Sequence, residues 1–349
     1  MRYSRVFIES IAYELPATVV SSEALEERLE PLYRRLHLQV GQLAALTGIR
    51  ERRYWPTGQT MANGAARAGR KALAAAGLAP DDIGMLIFGG VCRDFLEPAT
   101  ACAVADALGL SHRSQVYDAS NACLGVINGI VQIANAIELG QVKAGLVVSC
   151  ETAKQIVDLT IEKMLRQRHM EEFRLSLATL TGGSGAIAVA VCDQSFESDS
   201  RHGHRLLGGV VRSNTAHHRL CTWGPDTGMP ATAPMEMKTD AAAVLENGVE
   251  LGVETWHAFL EELGWTNESV DRTICHQVGA PHRETVMKAI GIPLEKDFQT
   301  YEFLGNIGTV SLPITAAIAE ERGFLKRGQR VAFCGIGSGL NCLVLGLEW

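Results

Sequence analysis

No stretch of this 349-residue sequence holds an unbroken apolar run of membrane-span length, and the opening MRYSRVFIES sets charges among its first apolar residues. A signal peptide and a membrane span are therefore not expected, and the reading is cytoplasmic. Paired cysteines are missing as well. The nine cysteines are an odd number, scattered without a CxxC pair or a His/Cys ligand grouping, which excludes a disulfide framework and a zinc site and leaves reduced thiols. An excess of basic charge is also absent. A formal charge of -7 argues against nucleic acid as the main partner. The local basic runs IRERR and KMLRQRH could still meet phosphates, and the second also reads as a solvated helix face. What remains is ordinary for a soluble globular chain: 47% hydrophobic and 20% charged residues, with length enough for a large core or two domains.

The sequence repeats itself. GLAPDDIGMLIF (77 to 88) lies over GWTNESVDRTIC (264 to 275), glycine over glycine, Ile83 over Val270 and Ile87 over Ile274. Each copy follows a helix-like run, AARAGRKALAAA or GVETWHAFLEEL, and each ends in a short β-branched stretch that reads as a buried strand. At nearly the same offset GQVKAGLVVSCE (140 to 151) lies over GQRVAFCGIGSG (328 to 339). The chain thus reads as two α/β halves, about 1 to 195 and 203 to 349, joined through DQSFESDSRHGH, with mostly parallel sheets and helices on both faces. In such sheets chemistry collects outside the carboxyl ends of strands.

Three reactive residue types fall at corresponding ends of the repeated elements. Cys123, in DASNACLGVINGI, lies between the strand-like QVYDAS and a helical run in which Asn128, Gln132, Asn135 and Glu138 recur at helical spacing. A thiol at a helix N-terminus meets unpaired N–H groups and the positive end of the dipole, which predicts a lowered pKa and a nucleophilic thiolate. The plain alternative is a small hydrophobe packed in a core. His276 follows the end of a strand; taken alone it also reads as a core histidine between Cys275 and Val278. Asn306 precedes a helix for which Ser311 and Pro313 supply N-cap and first-turn residues, and alone it passes as a turn residue beside Gly305 and Gly308.

At these residues the sequence resembles the thiolase superfamily of Claisen-condensing enzymes, in its 3-oxoacyl-(acyl-carrier-protein) synthase III branch. The ordered set is TGIRERR (47 to 53), NAC around Cys123, ETA (151 to 153), TGGSGAIAV (181 to 189), ICHQVGAPHR (274 to 283), GNIG (305 to 308) and GIGSGL (335 to 340), spread over essentially the whole chain. The resemblance implies the thiolase fold, two pseudo-duplicated α/β halves in α-β-α-β-α layers. It makes Cys123 the acyl-accepting nucleophile and His276 with Asn306 the pair that stabilises the enolate of a second substrate. Backbone N–H groups of Cys123 and of Gly339 would form the oxyanion hole for the acyl transfer. It further implies a homodimer that takes acyl-CoA, with acyl carrier protein as a further donor, and no cofactor beyond the coenzyme A thioester substrates.

Glu97, in VCRDFLEPATAC, separates two chemistries within that branch. Decarboxylating synthases make their nucleophile by losing carbon dioxide from a malonyl thioester, whereas joining two unactivated acyl thioesters requires a base for an α-proton. In most members the residue before this proline is apolar and crosses the dimer interface; in the members that join two acyl-CoAs head to head it is a glutamate. Glu97 therefore favours non-decarboxylative condensation, its carboxylate made more basic by an apolar channel. An exposed loop glutamate beside Arg93 and Asp94 is the plain alternative. The rival functions are decarboxylative synthase III action on acyl-CoA and a malonyl carrier, and a silent acyl-binding or partner homologue. Two departures stand out: Gln42 and Leu46 occupy positions where the branch carries a Trp and an Arg that grip the coenzyme A adenine, and CTWGPDTGMPATAPMEM (221 to 237) is long for a connection, reading as a cap on an acyl tunnel or as a surface loop. Cys334 reads as a core strand residue rather than a second catalytic cysteine.

Overall fold

The computed structural model describes residues 1–167, 169–196, 203–224 and 235–349. Nine strands form its main sheet: β1 (Val6–Glu14), β2 (Met85–Gly89), β3 (Gln115–Ala119), β4 (Ala144–Glu151), β5 (Gly185–Asp193), β6 (His204–Ser213), β7 (Arg272–Cys275), β8 (Arg330–Gly337) and β9 (Asn341–Glu348). Their order is β7-β8-β9-β6-β1-β5-β4-β2-β3. Six helices matter for the site: α1 (Met61–Ala76), α2 (Thr100–Leu108), α3 (Gly125–Glu138), α4 (Ala241–Leu263), α5 (Ala280–Ile290) and α6 (Ser311–Glu321).

The repeat is visible in the strand order. From β1 outward the pairings run antiparallel to β5, antiparallel to β4 and parallel to β2; from β6 outward they run antiparallel to β9, antiparallel to β8 and parallel to β7. The two arms join only through Phe7↔Arg205 and Ile8↔His204. Where β3 extends the first arm, the second has a single parallel bridge, Thr273↔Asp297. The expectation of mostly parallel sheets is thus corrected, because parallel pairing is confined to the outer strands. The inner strands are return strands: β9 follows β8 after only Ser338–Leu340, a connection short enough for a hairpin and far too short for a parallel crossover.

Period-2 alternation in these strands splits the core into layers. Ile87, Val147, Ile187 and Val189 of one arm, and Ile274, Phe333, Leu343 and Leu345 of the other, pack into a single cluster with Ile127, Ile130 and Ile133 of α3 and Leu312, Ile314 and Ile318 of α6. Leu86, Phe88, Leu146 and Val148 point the other way, onto α1. Ala332, Cys342 and Val344 likewise face away, onto Trp256 and Phe259 of α4 and Met287 of α5. Helices α3 and α6 are therefore sandwiched between the two arms, with α1 and α4 outside. This is the α-β-α-β-α layering expected of a thiolase fold. A helix enclosed on both sides must be apolar nearly all round, and in α6 the run from Ser311 to Ala319 is buried without a break.

Both glycines at the repeat anchors end helices in the left-handed conformation, Gly77 after α1 at φ 61° and Gly264 after α4 at φ 67°. The joining stretch 193 to 204 is described as far as Phe196 and again from Gly203; its middle lies outside the described residues. The same holds for 225–234 of the long segment, whose flanks Cys221–Gly224 and Glu236–Thr239 pair as antiparallel strands. No helix among the described residues is long and apolar enough to cross a membrane.

Candidate active site

Cys123 stands in the turn between β3 and α3, two residues before the first helical residue. Ala122 just before it has φ 45°, a left-handed conformation uncommon for a residue with a Cβ. The turn is tight because α3 starts against the end of β2: a Cβ on Gly125 would stand 2.9 Å from the carbonyl carbon of Gly89, and one on Gly89 2.6 Å from the carbonyl oxygen of Gly125. Only glycine at both positions lets the two backbones meet.

The lowered thiol pKa expected at this helix start is not found. Burial pushes the Cys123 thiol up to about 12, helped by the nearby Cys221 and Glu151. Loss of hydration of the charged form outweighs the dipole here, so the resting group is the thiol.

His276 follows β7 directly. Its N–H donates to the carbonyl of Cys334 at 2.9 Å, and its ring Nδ1 lies 2.7 Å from Ser311 Oγ. The residue is 6% exposed, and burial together with the neighbouring His282 brings its pKa down to about 3. The imidazole is neutral. A neutral ring whose Nδ1 accepts from the Ser311 hydroxyl carries its proton on Nε2, and in that tautomer His276 is a hydrogen-bond donor without a charge. Ser311 was expected as an N-cap; it is instead the first residue of α6, after Val310, and its side chain serves His276 rather than the helix end.

Asn306 is held by glycine-rich backbone from the other half. Its N–H donates to Thr181 O and its carbonyl accepts from Gly183 N–H, both at 2.9 Å. A Cβ on Gly183 would fall 2.2 Å from Leu304 O, and one on Gly305 would fall 2.4 Å from Thr181 O, so the TGGSG and GNIG segments need their glycines for this contact. The side-chain Oδ1 accepts from Gly308 N–H at 3.1 Å, which turns the amide NH₂ outward as a donor.

Residues 306–311 knit these groups together. Thr309 Oγ1 accepts from Val126 N–H at 2.8 Å, in the first turn of the Cys123 helix. Thr309 lies three residues after Asn306 and two before Ser311, the partner of His276. On the other side, a Cβ on Gly337 would meet Cys123 N at 3.3 Å. Gly337 at the end of β8 is therefore the glycine that abuts the Cys123 turn, while Gly339 lies beyond it at φ 135°. Thr309, Gly337 and the function of Ser311 were not read from the sequence. Only the insertion of Thr and Ser between GNIG and a helix hints at them.

Glu97 is not gathered with the others in the single chain. It sits exposed in the loop between β2 and α2, beside Phe95 and Leu96, which are 67% and 64% exposed. Cys334 points into the α4/α5 layer and not into the central layer, which agrees with its reading as a core residue. It lines, with Gly248, Gly252, Trp256, Cys275 and His276, a small apolar pocket behind the imidazole. The phosphate reading of IRERR is corrected at its centre: Arg52 is wholly buried, donating to Ser22 Oγ and Leu180 O, whereas Arg50 pairs on the surface with Glu302. Gln42 and Leu46 lie on the short helix Gln42–Thr47, Leu46 being half exposed. Among the described residues no group of His, Cys, Asp and Glu could hold a metal ion, and all nine cysteines are free.

The fold and this site define a thiolase-type condensing enzyme, and the family models agree. Residues 58–197 match the N-terminal domain of thiolase, and residues 260–349 match the C-terminal part of 3-oxoacyl-[acyl-carrier-protein] synthase III. An acyl-CoA:acyl-CoA alkyltransferase of Shewanella oneidensis is 54% identical and one of Xanthomonas campestris 38% identical, each over the whole of both chains. The chain belongs to the family of these acyl-CoA:acyl-CoA alkyltransferases. A crystal structure of Xanthomonas campestris OleA altered at one glutamate superposes with a TM-score of 0.94 at 36% identity, covering 100% of this chain and 98% of that one. A cysteine-to-serine variant of the same protein, with lauric acid and lauroyl-CoA bound, gives 0.93 at 36% identity, covering 99% and 100%.

Proposed function

We propose that this protein joins two acyl-CoA molecules by non-decarboxylative Claisen condensation, through an acyl-enzyme on Cys123. The Cys123 sulfur attacks the first thioester, the carbonyl oxygen being received by backbone N–H groups of Cys123 and Gly339. The C–S bond to coenzyme A breaks, and the thiol proton leaves on the coenzyme A sulfur. Glu97 of the partner subunit then removes an α-proton from a second acyl-CoA. The enolate oxygen is held by two neutral donors, His276 Nε2–H and the Asn306 amide. Its carbon attacks the acyl-enzyme, a C–C bond forms, and Cys123 departs as thiolate to regain a proton, leaving a β-keto thioester. Residues 1–195 supply the nucleophile and 203–349 the enolate donors, and the thioesters supply the leaving group and the acidified α-proton without a cofactor.

The observation that carries this reading is the 306–311 segment, which bonds at once to the Cys123 helix and to His276. Neutral donors suit an enolate whose proton must leave to a separate base. Two things support Glu97 as that base: its loop tip stands out from the chain with two exposed apolar neighbours, as an interface element would; and the glutamate and cysteine altered in the Xanthomonas campestris OleA structures lie as far apart along that chain as Glu97 and Cys123 along this one. Acyl carrier protein is a second source of the same thioester, and a reducing cytoplasm suits nine free thiols. Purified protein given one acyl-CoA and no malonyl thioester is expected to yield the doubled β-keto product, and Cys123→Ala none. A strict requirement for a malonyl thioester would overturn the reading in favour of the decarboxylative reaction, and absence of any acyl adduct would leave only a binding function.

A further inference from the structure

Glu151 is a buried carboxyl group beside the site that the proposed chemistry leaves unused. It ends β4 at 4% exposure, and among the described residues no lysine, arginine or histidine lies within ion-pair distance of it. Its two oxygens instead accept from consecutive backbone N–H groups, Oε1 from Val91 at 2.9 Å and Oε2 from Cys92 at 3.2 Å. These N–H groups open the loop that carries Glu97. The fit is close: a Cβ on Gly90 would stand 3.0 Å from Oε1. On its other side the carboxyl group packs under the Asn306 turn, where a Cβ on Gly308 would lie 3.5 Å from Cγ and 3.6 Å from Cδ.

The far end of the same loop is held in like fashion. Asp118 accepts from the N–H groups of Thr100 and Ala101 at 2.9 and 2.8 Å, and Asp94 from those of Met61 and Ala62 at 2.6 and 2.9 Å. The tip bearing Glu97 is thus a short span between anchors, and Glu151 is the anchor that also reaches the catalytic turn. The Cys92 thiol bonds to the same carboxyl group, so its partners are two backbone N–H groups and a thiol with no cation among them, and it carries a desolvation cost that a neutral side chain would avoid.

We propose that Glu151 is a positioning residue of this site, tying the loop that carries Glu97 to the turn that carries Asn306, behind Cys123. The inference rests on the condensing function proposed above. Glutamine in its place has one acceptor oxygen instead of two and turns its NH₂ against a backbone N–H, so the loop must move. Misplacement of a reacting group by about 1 Å costs on the order of 100-fold in rate. Burial raises the Glu151 pKa, and its carboxyl group is, after burial and Cys221, one of the causes that hold the proton on the Cys123 thiol. The thiols of Cys92 and Cys150 feel the same charge.

Two variants test the proposal, Glu151→Gln and Glu151→Asp, each read three ways: the extent of the Cys123 acyl adduct by intact mass, the rate of condensation from that adduct, and the pH profile of Cys123 alkylation by iodoacetamide, located by peptide mass spectrometry. Glu151→Gln is expected to keep the adduct, to slow condensation tenfold or more, and to move the alkylation profile to lower pH. Glu151→Asp keeps the charge and is expected to leave the profile at its wild-type position. Wild-type condensation in Glu151→Gln would overturn the proposal. So would an unmoved profile with adduct, condensation and melting temperature all falling together, which is a purely structural role. If the wild-type protein itself forms no adduct, the condensing function fails instead, and the alkylation profile still decides whether Glu151 acts on Cys123.

Discussion

Removing the Ser311 hydroxyl should separate the two half-reactions. Ser311 is fully buried, and its Oγ is the hydrogen-bond partner of His276 Nδ1 at 2.7 Å. In Ser311→Ala the ring nitrogen loses its donor in a pocket where the histidine itself is 6% exposed. A buried polar atom left unsatisfied costs about 1–3 kcal/mol, and the ring is also released from the tautomer that presents Nε2–H to the enolate. At about 1.4 kcal/mol per factor of ten, the condensation rate should fall roughly 5- to 150-fold. In the proposed mechanism the acyl transfer does not use His276, and it should change by less than about twofold. The assay is single-turnover: Cys123 is acylated first, and a second acyl-CoA is then added and the β-keto product followed. A double-mutant cycle with His276→Ala isolates the pair, because Ser311→Ala should cost little once the imidazole is gone. An undiminished condensation rate, or an equal loss with and without His276, would refute the tautomer argument.

Other outcomes follow from the same geometry. Cys123, pushed up to about 12 by burial, should alkylate more slowly at pH 7 to 8 than an exposed thiol and accelerate throughout the alkaline range; a rate plateau near neutral pH would show that the helix dipole wins after all. His276 is held down to about 3 from an ordinary 6.5 by burial. The unfolded chain therefore binds the proton more readily, so this histidine's contribution to stability is complete above pH 6.5 and is lost as the pH falls toward 3. The loss is roughly 2 kcal/mol at pH 5, to be seen as an acid shift in the denaturant midpoint that His276→Asn removes. Gly125→Ala places a methyl 2.9 Å from the Gly89 backbone and should destabilise by about 1–3 kcal/mol in chemical denaturation, with loss of the Cys123 adduct. Glu97→Gln should abolish condensation and leave acylation intact, and a variant that condenses normally would remove Glu97 from the mechanism.

What the sequence discloses and what it withholds divide along physical lines. Cys123, His276 and Asn306 could be placed because each sits at the end of a repeated element, and the repeat supplies a spatial frame without coordinates. The layers followed from the family resemblance, and α6, buried without a break from Ser311 to Ala319, shows the physical reason for them. The antiparallel inner strands could not be placed, because they arise from how the return strands find their partners and not from their composition: β5, buried on both faces, has the same apolar run as a parallel strand. Ser311 carried the signal of a helix cap and Thr309 carried none, and only tertiary contacts show that their hydroxyls go to His276 and to Val126. The thiol pKa was misjudged because a helix N-terminus is legible locally, whereas desolvation depends on everything packed above it.

The most direct test of the account uses a single acyl-CoA labelled with ¹³C at its carbonyl carbon. Incubated alone with the protein, it should give a β-keto product carrying two labels and every carbon of both chains, with a transient acyl adduct on the peptide containing Cys123. Absence of any product until a malonyl thioester is supplied would contradict it.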